Sequence, residues 1–280
     1  VRSAQDAKIS LERLGEIHNK PDEQKEHTIP VDLLPKEDIK IENLSFKYNE
    51  LSANVLQNVN LTIPRGKITA IVGTSGSGKT TLIKLLLGFY EAQQGTIKMG
   101  GVDLNNINKR DWRKKCGAVM QDGYIFSDTI SNNIAESDET PDRTKLLHAV
   151  QVANIQEFIE SLPLSYNTVI GAQGNGVSQG QKQRLLIARA VYKNPDYLFF
   201  DEATNALDAM NERTIVENLN TFLEDRTVIV VAHRLSTVKN ADQIFVLEKG
   251  KIVEIGTHSK LVEERGAYYQ LVKNQLELGS

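Results

Sequence analysis

The chain has 280 residues and a mass of 31.2 kDa, at the upper edge of what one hydrophobic core serves, so one large α/β domain with extensions, or two domains, is expected. Apolar residues make up 40% and charged residues 25%, which excludes collagen-like, mucin-like and wholly disordered chains. With 33 Lys and Arg against 36 Asp and Glu the net charge is -3, so no basic excess exists to release counterions from a nucleic-acid backbone, and no nucleic-acid partner is expected.

The opening Val1-Arg2-Ser3-Ala4 has no apolar signal core and no initiating methionine, as in a fragment of a longer polypeptide. Ile9, Leu14 and Ile17 recur at near-helical spacing among charges, predicting an amphipathic helix over 3–19. Residues 20–38 carry Pro21, Pro30 and Pro35 and read as an extended linker. Residues 1–38 are thus helix plus linker, and the compact domain is expected over 39–280. Ile39/Ile41 and Leu44/Phe46/Tyr48 alternate with polar residues, with a slip of phase near Asn43 that a bulge explains. Val59/Leu61/Ile63 alternate before the turn Pro64-Arg65-Gly66. Both read as antiparallel strands.

A short apolar run over 67–72 ends at Gly73, and a helical pattern (Leu82, Ile83, Leu85, Leu86) follows the intervening loop and stops at Gly88. A hairpin turning at Gly100-Gly101 and a strand over 117–120 come next. The basic runs Lys109-Arg110 and Arg113-Lys114-Lys115 read as a solvated helix face. Cys116 is the lone cysteine and the five His are scattered, so neither a disulfide framework nor a structural zinc site is supported, and a reducing compartment fits. Polar-faced helices are expected over 141–161, and Ser178 opens a helix to about Tyr192; 122–183 is read as a helical insertion. Residues 197–200, 227–232 and 243–247 read as short buried strands separated by helices, the rhythm of a mostly parallel sheet. The longest apolar stretches are far short of the ~20 residues a bilayer-spanning helix needs.

Gly73-Thr74-Ser75-Gly76-Ser77-Gly78-Lys79-Thr80 matches the phosphate-loop pattern G-x-x-x-x-G-K-[ST] in full. Its glycines let the chain wrap a phosphate group with backbone N–H groups pointing inward, and the following helix aims its positive end at the same anion. Lys79 would neutralise the terminal phosphates and the Thr80 hydroxyl would ligate Mg²⁺. A dinucleotide fingerprint is ruled out because Thr81 stands where its third glycine belongs. Tyr197-Leu198-Phe199-Phe200 leads into Asp201-Glu202, as when a buried strand delivers acids to its edge. Asp201 would hold Mg²⁺ and Glu202 would polarise an attacking water.

These two motifs, with Gln121, Val177-Ser178-Gln179-Gly180-Gln181, Asn205-Ala206-Leu207-Asp208 and His233 in that order, resemble the nucleotide-binding domain of an ABC transporter over residues 39 to the C-terminus. The resemblance implies a P-loop NTPase (RecA-like) core with a mostly parallel sheet, an antiparallel β subdomain and a helical signature subdomain. It implies ATP and Mg²⁺ as ligands, with Gln121 at the metal beside Thr80 and Asp201 and contributing to catalysis. Thr81 joins Gly73–Thr80 around the nucleotide, and Tyr48 matches the aromatic that stacks on adenine, its alternative being a plain strand aromatic. His233 would hold Glu202 and the water in line, or simply pack; Asp208 would couple two sites or cap a helix. Ser178, Gly180 and Gln181 would face the ATP of a second copy in a nucleotide-sandwiched homodimer.

Residues 125–130 and 232–238 are similar to the exporter branch, so residues 1–38 look like the tail of a preceding transmembrane domain, and the domain is expected at the cytoplasmic face of the inner membrane. Ser-Gln-Gly-Gln with Asn-Ala-Leu-Asp resembles bacterial peptide and bacteriocin exporters with an N-terminal cysteine-peptidase domain. Two departures stand out: Gln179 replaces the first signature glycine, and Ala172 sits where exporters carry a glutamate in the stretch 168–174. A soluble ABC protein and a nucleotide sensor without useful hydrolysis are the competing readings.

Overall fold

The computed structural model describes residues 2–19, 28–34, 37–136, 138–172, 174, 176–202, 209–232 and 238–278. The N-terminal helix α1 spans Arg2–His18. Within the proline-bearing stretch that follows, residues 28–34 lie along the domain. Ile29 N–H donates to the Asn106 carbonyl, and Asn108 N–H donates to the Ile29 carbonyl, each at 2.9 Å. Val31 is buried and Asp32 pairs with Lys115 at 2.9 Å.

Strands β1 (Ile39–Phe46), β2 (Leu56–Ile63), β4 (Gln94–Met99) and β5 (Val102–Asp103) form an antiparallel sheet in the order β2-β1-β4-β5. The phase slip expected near Asn43 is a bulge: the pairing register shifts between Ile41 and Leu44, and Asn43 has φ 50°. Asparagine tolerates that left-handed conformation.

Behind it lies a six-stranded sheet built from β3 (Ile68–Val72), β6 (Cys116–Val119), β9 (Tyr197–Asp201), β10 (Thr227–Val231), β11 (Gln243–Glu248) and β12 (Lys251–Gly256), in the order β12-β11-β3-β10-β9-β6. All its neighbours are parallel except the β11–β12 hairpin. Side chains alternate faces along these strands. Ala70, Leu198, Phe200, Val228 and Val230 enter one core, whereas Ile71, Tyr197, Phe199, Ile229 and Val231 enter the other. Because both faces are covered, the strands read as unbroken apolar runs. Each fully buried Leu or Phe among them contributes roughly 1.5–3 kcal/mol.

The first core packs against helices α4 (Ile130–Ile134), α5 (Arg143–Val152), α6 (Gln156–Ser161) and α7 (Gln179–Tyr192), with α8 (Ala209–Leu223) and the C-terminal α9 (His258–Glu264) and α10 (Ala267–Leu278). The stretch 122–183 holds α4 to α6, the short strands β7 (Asp128–Thr129) and β8 (Val169–Ile170), and the start of α7. The second core packs against α2 (Lys79–Leu86), the first sheet and Trp112 of α3 (Lys109–Lys115). Trp112 Nε1 donates to the Leu86 carbonyl at 2.8 Å, satisfying an open acceptor at the end of α2. The basic face of α3 differs in part from expectation: Arg110 and Lys114 are exposed, whereas Lys109 pairs with Glu91 at 3.2 Å, Lys115 with Asp32, and the Arg113 guanidinium sits over the Phe89 ring. Burial of Trp112 among these charges packs the helix against the domain, with Lys109, Arg113 and Lys115 held by partners.

Candidate nucleotide site

Parallel strands of one sheet end on the same edge, and ligands of such folds bind outside those carboxyl ends. Here β3 ends at Gly73, β6 leads to Gln121 two residues on, and β9 ends in Asp201 and Glu202. Their register is set by the pairing of Val119 with Phe200, and of Val231 with both Asp201 and Ile71. The sequence-predicted Gln121, Asp201, Glu202 and phosphate loop therefore converge on one edge. His233 and Asp208 lie outside the described residues.

The loop from Gly73 to Gly78 needs its glycines for two different reasons. A Cβ at Gly73 would lie 2.0 Å from the Leu247 carbonyl oxygen, and one at Gly78 would lie 2.8 Å from Leu56 Cδ2. Gly76 has open space around it, but its φ of 75° is in the left-handed region. Ser77 N–H donates to the Thr74 carbonyl at 3.2 Å, and the Ser77 carbonyl accepts from Gly250 N–H at 3.0 Å. The loop is thus braced by the β11–β12 turn, where Lys249 and Gly250 both have positive φ (46° and 79°). A glycine between two strand-like runs is a local signal for a turn, yet nothing in it announces contact with a loop some 170 residues away.

Helix α2 starts at Gly78 without a side-chain cap. Lys79 is buried, and its ammonium donates to the Gly73 and Thr74 carbonyls at 2.9 Å each. Burial pulls the Lys79 pKa down, while the nearby Glu202 and Asp201 charges push it back up. Asp201 is fully buried, and neither carboxylate oxygen has a hydrogen-bond partner. Burial pushes its pKa up; the Thr80 hydroxyl lies near enough to oppose this, although outside hydrogen-bond geometry. A buried carboxylate left without donors is costly, and it fits the donor set of a hard divalent cation completed by Thr80 and by phosphate oxygens. Among the described residues no cluster of three or more His, Cys, Asp or Glu offers an all-protein metal site. Glu202 holds φ 54° while its N–H donates to the Val231 carbonyl at 3.0 Å. A glutamate held left-handed stores strain of order 1 kcal/mol, the kind that functional sites retain.

Tyr48 is half-exposed, and its hydroxyl hydrogen-bonds the Thr81 hydroxyl at 2.9 Å. Edge contacts with Phe46 and Tyr90 at 5.1 and 5.4 Å fix the ring beside α2. Ser178 caps α7, accepting from Gln181 N–H at 3.2 Å while the Gln181 side chain accepts from Ser178 N–H at 2.8 Å. Ser178 and Gln179 are exposed, with Gly180 and Gln181 half-buried in the first turn. This helix start belongs to the helical part of the molecule.

Residues 56–205 match the family described as ABC transporter. The chain is 43% identical over 270 residues to the leukotoxin translocation ATP-binding protein LktB of Mannheimia haemolytica, a match covering 96% of this chain and 38% of that protein. The same protein of Bibersteinia trehalosi matches equally. The fold is similar to that of a bacterial Atm1-family ABC exporter with ATP bound, with a TM-score of 0.89 and 33% identity over 98% of this chain and 48% of that one. The chain therefore spans less than half the length of these relatives. Among the described residues no helix is long and apolar enough to cross a membrane. The family match takes in more than half of the chain, from the wall of the phosphate loop to just past the paired carboxylates, and the chain accordingly belongs to the ABC transporter family, as its ATP-binding ATPase domain.

Proposed function

We propose that residues 39–280 hydrolyse ATP between two copies of the chain, and that closing and opening of this pair drives export by a membrane-embedded domain to which residues 1–38 lead. The observation that carries the chemical half is the buried, donor-free Asp201 carboxylate on the same strand edge as Lys79. Export rests on the likeness to the leukotoxin translocation proteins and the Atm1-family exporter, and it puts the domain at the cytoplasmic face of the membrane, with a peptide or protein toxin as cargo.

In this reading the Tyr48 ring stacks on adenine, and the backbone N–H groups over Gly73–Thr81 cradle the phosphates. Lys79 exchanges its two loop carbonyls for phosphate oxygens. Thr80, Asp201 and Gln121 hold Mg²⁺, which when bound neutralises phosphate charge and polarises the terminal phosphoryl group. Glu202 accepts a proton from the water that attacks the γ-phosphorus, as the bond from that phosphorus to the β,γ-bridging oxygen breaks. His233 steadies Glu202 and the water, and Asp208 links the two sites across the pair. Ser178, Gly180 and Gln181 of the second copy supply a helix N-terminus to the γ-phosphate. The nucleotide then holds the copies together, and its cleavage releases them.

The decisive experiment is Glu202→Gln. The variant is expected to bind ATP with unchanged affinity, to lose turnover by about a thousandfold, and to elute as a dimer under saturating MgATP. A variant that stays monomeric by light scattering when fully loaded with nucleotide contradicts the sandwiched pair, and one with normal phosphate release contradicts the role of Glu202.

A further inference from the structure

Gln183, in the second turn of α7, is 3% exposed, and its Nε2 is buried without a hydrogen-bond partner. Buried amide donors are nearly always paired, so this orphan needs a partner that no described residue supplies here. The slanting ridge of α7 residues three apart that starts at Gln183 indicates where that partner lies. One turn on, Leu186 presses against the loop after β6: a Cβ at Gly123 would be 2.3 Å from Leu186 Cδ1. At the next turn Arg189 Nη1 donates to the Tyr124 carbonyl at 2.9 Å.

Gly123 opposite Leu186 and Tyr124 opposite Arg189 set a register of one loop residue per three helix residues. Three residues of helix rise about 4.5 Å, close to the roughly 3.5 Å that one extended residue spans. One step further back the register pairs Asp122 with Gln183, at the point where the extended stretch gives way to a turn. Gln121 and Asp122 are the corner of that turn, closed by Gly123 N–H donating to the Met120 carbonyl at 3.1 Å.

We infer that Gln183 is a positioning residue for Gln121, its Nε2 donating to a backbone carbonyl of the Gln121–Asp122 turn when the helical part closes on the nucleotide. The pairing fixes the height of the turn above the strand edge, and so the reach of the Gln121 carboxamide, without touching substrate. It also makes α7 bifunctional: its first turn carries Ser178 toward the second copy, and its second turn reports to the loop of its own site. This inference rests on the role proposed for Gln121.

The test is Gln183→Met, which keeps the side chain's length and removes the donor, in the full chain. Expected are a kcat for ATP lowered about tenfold and a KM within about twofold of the parent, with no fall in melting temperature, because no native hydrogen bond is lost from the unloaded state. In a Gln121→Ala background the same substitution should produce no further loss of kcat, since Gln183 acts through that residue. Gln183→Asn, with its donor retracted by one methylene, should fall between parent and Met variant, and it decides the matter if the Met variant does not fold. A parental kcat in either variant, or losses that multiply in the Gln121→Ala background, overturns the inference. Glu202→Gln assayed alongside keeps the two readings apart: normal turnover there sinks the underlying site, whereas a dead Glu202→Gln with a fully active Gln183→Met sinks only this proposal.

Discussion

Two helix starts in this chain face anions in opposite ways. Helix α2 begins at a left-handed Gly78 with no side chain bonded to its first N–H groups, whereas α7 begins at Ser178 with a reciprocal capping box to Gln181. The first is walled in by Val55, Leu56 and Leu247 and holds a buried lysine; the second is exposed and internally satisfied. An uncapped, enclosed helix start is completed by a ligand. A self-capped, exposed one is stable alone and can be presented to another molecule. In the proposed pair, this difference would let one chain offer both a receiving and a donating half-site.

The largest effect expected from breaking this asymmetry is at the receiving end. Lys79→Met removes the buried ammonium proposed to meet the terminal phosphates, and ATP affinity measured by calorimetry should fall by about 10²–10³-fold, the equivalent of two charge-assisted hydrogen bonds. Next come the glycines of the wall. Gly73→Ala drives a Cβ into the Leu247 carbonyl at 2.0 Å and should destabilise the domain by more than about 3 kcal/mol in denaturant unfolding. Gly76→Ala, with nothing within 4 Å, should cost only the left-handed backbone, roughly 1 kcal/mol. Equal losses at the two positions would show that φ, and not the wall, dictates the loop. The smallest effect belongs to the donating end: Ser178→Ala should cost about 1 kcal/mol of stability and leave nucleotide affinity of the single chain unchanged, while lowering turnover under conditions that favour pairing.

Local chemistry made much of the site legible in the amino-acid order. The phosphate loop is written as a contiguous pattern because its task is local: the chain must turn tightly, expose N–H groups and enter a helix. The acids were legible because the apolar strand ending in Asp201-Glu202 stands in the same chain as a complete phosphate loop, whereas two acids after a strand are by themselves an ordinary solvated loop. The α7 start was legible because a Ser with Gln three residues later satisfies two N–H groups at once. The bulge at Asn43 was readable as a slip in a period of two. What could not be read depends on partners distant in sequence. Lys109, Arg113 and Lys115 look solvated until Glu91, Phe89 and Asp32 are brought beside them, and residues 28–34 look like linker until Val31 finds the second core. Gln183 is an ordinary helical glutamine in the sequence, and burial alone makes its amide notable.

By itself, then, the order of residues determined the phosphate loop, the capped start of α7 and the apolar strand leading into Asp201-Glu202, because helix capping, glycine conformation and strand alternation act over a few residues. The tertiary structure decided that Gly73, Gln121 and Asp201 share one edge, through the strand order β3-β10-β9-β6, and that Leu247 and Gly250 wall the phosphate loop. Strand order and wall contacts arise from pairing between segments tens to hundreds of residues apart, where the free energy comes from burying both faces of a parallel sheet and no short pattern encodes which strands become neighbours.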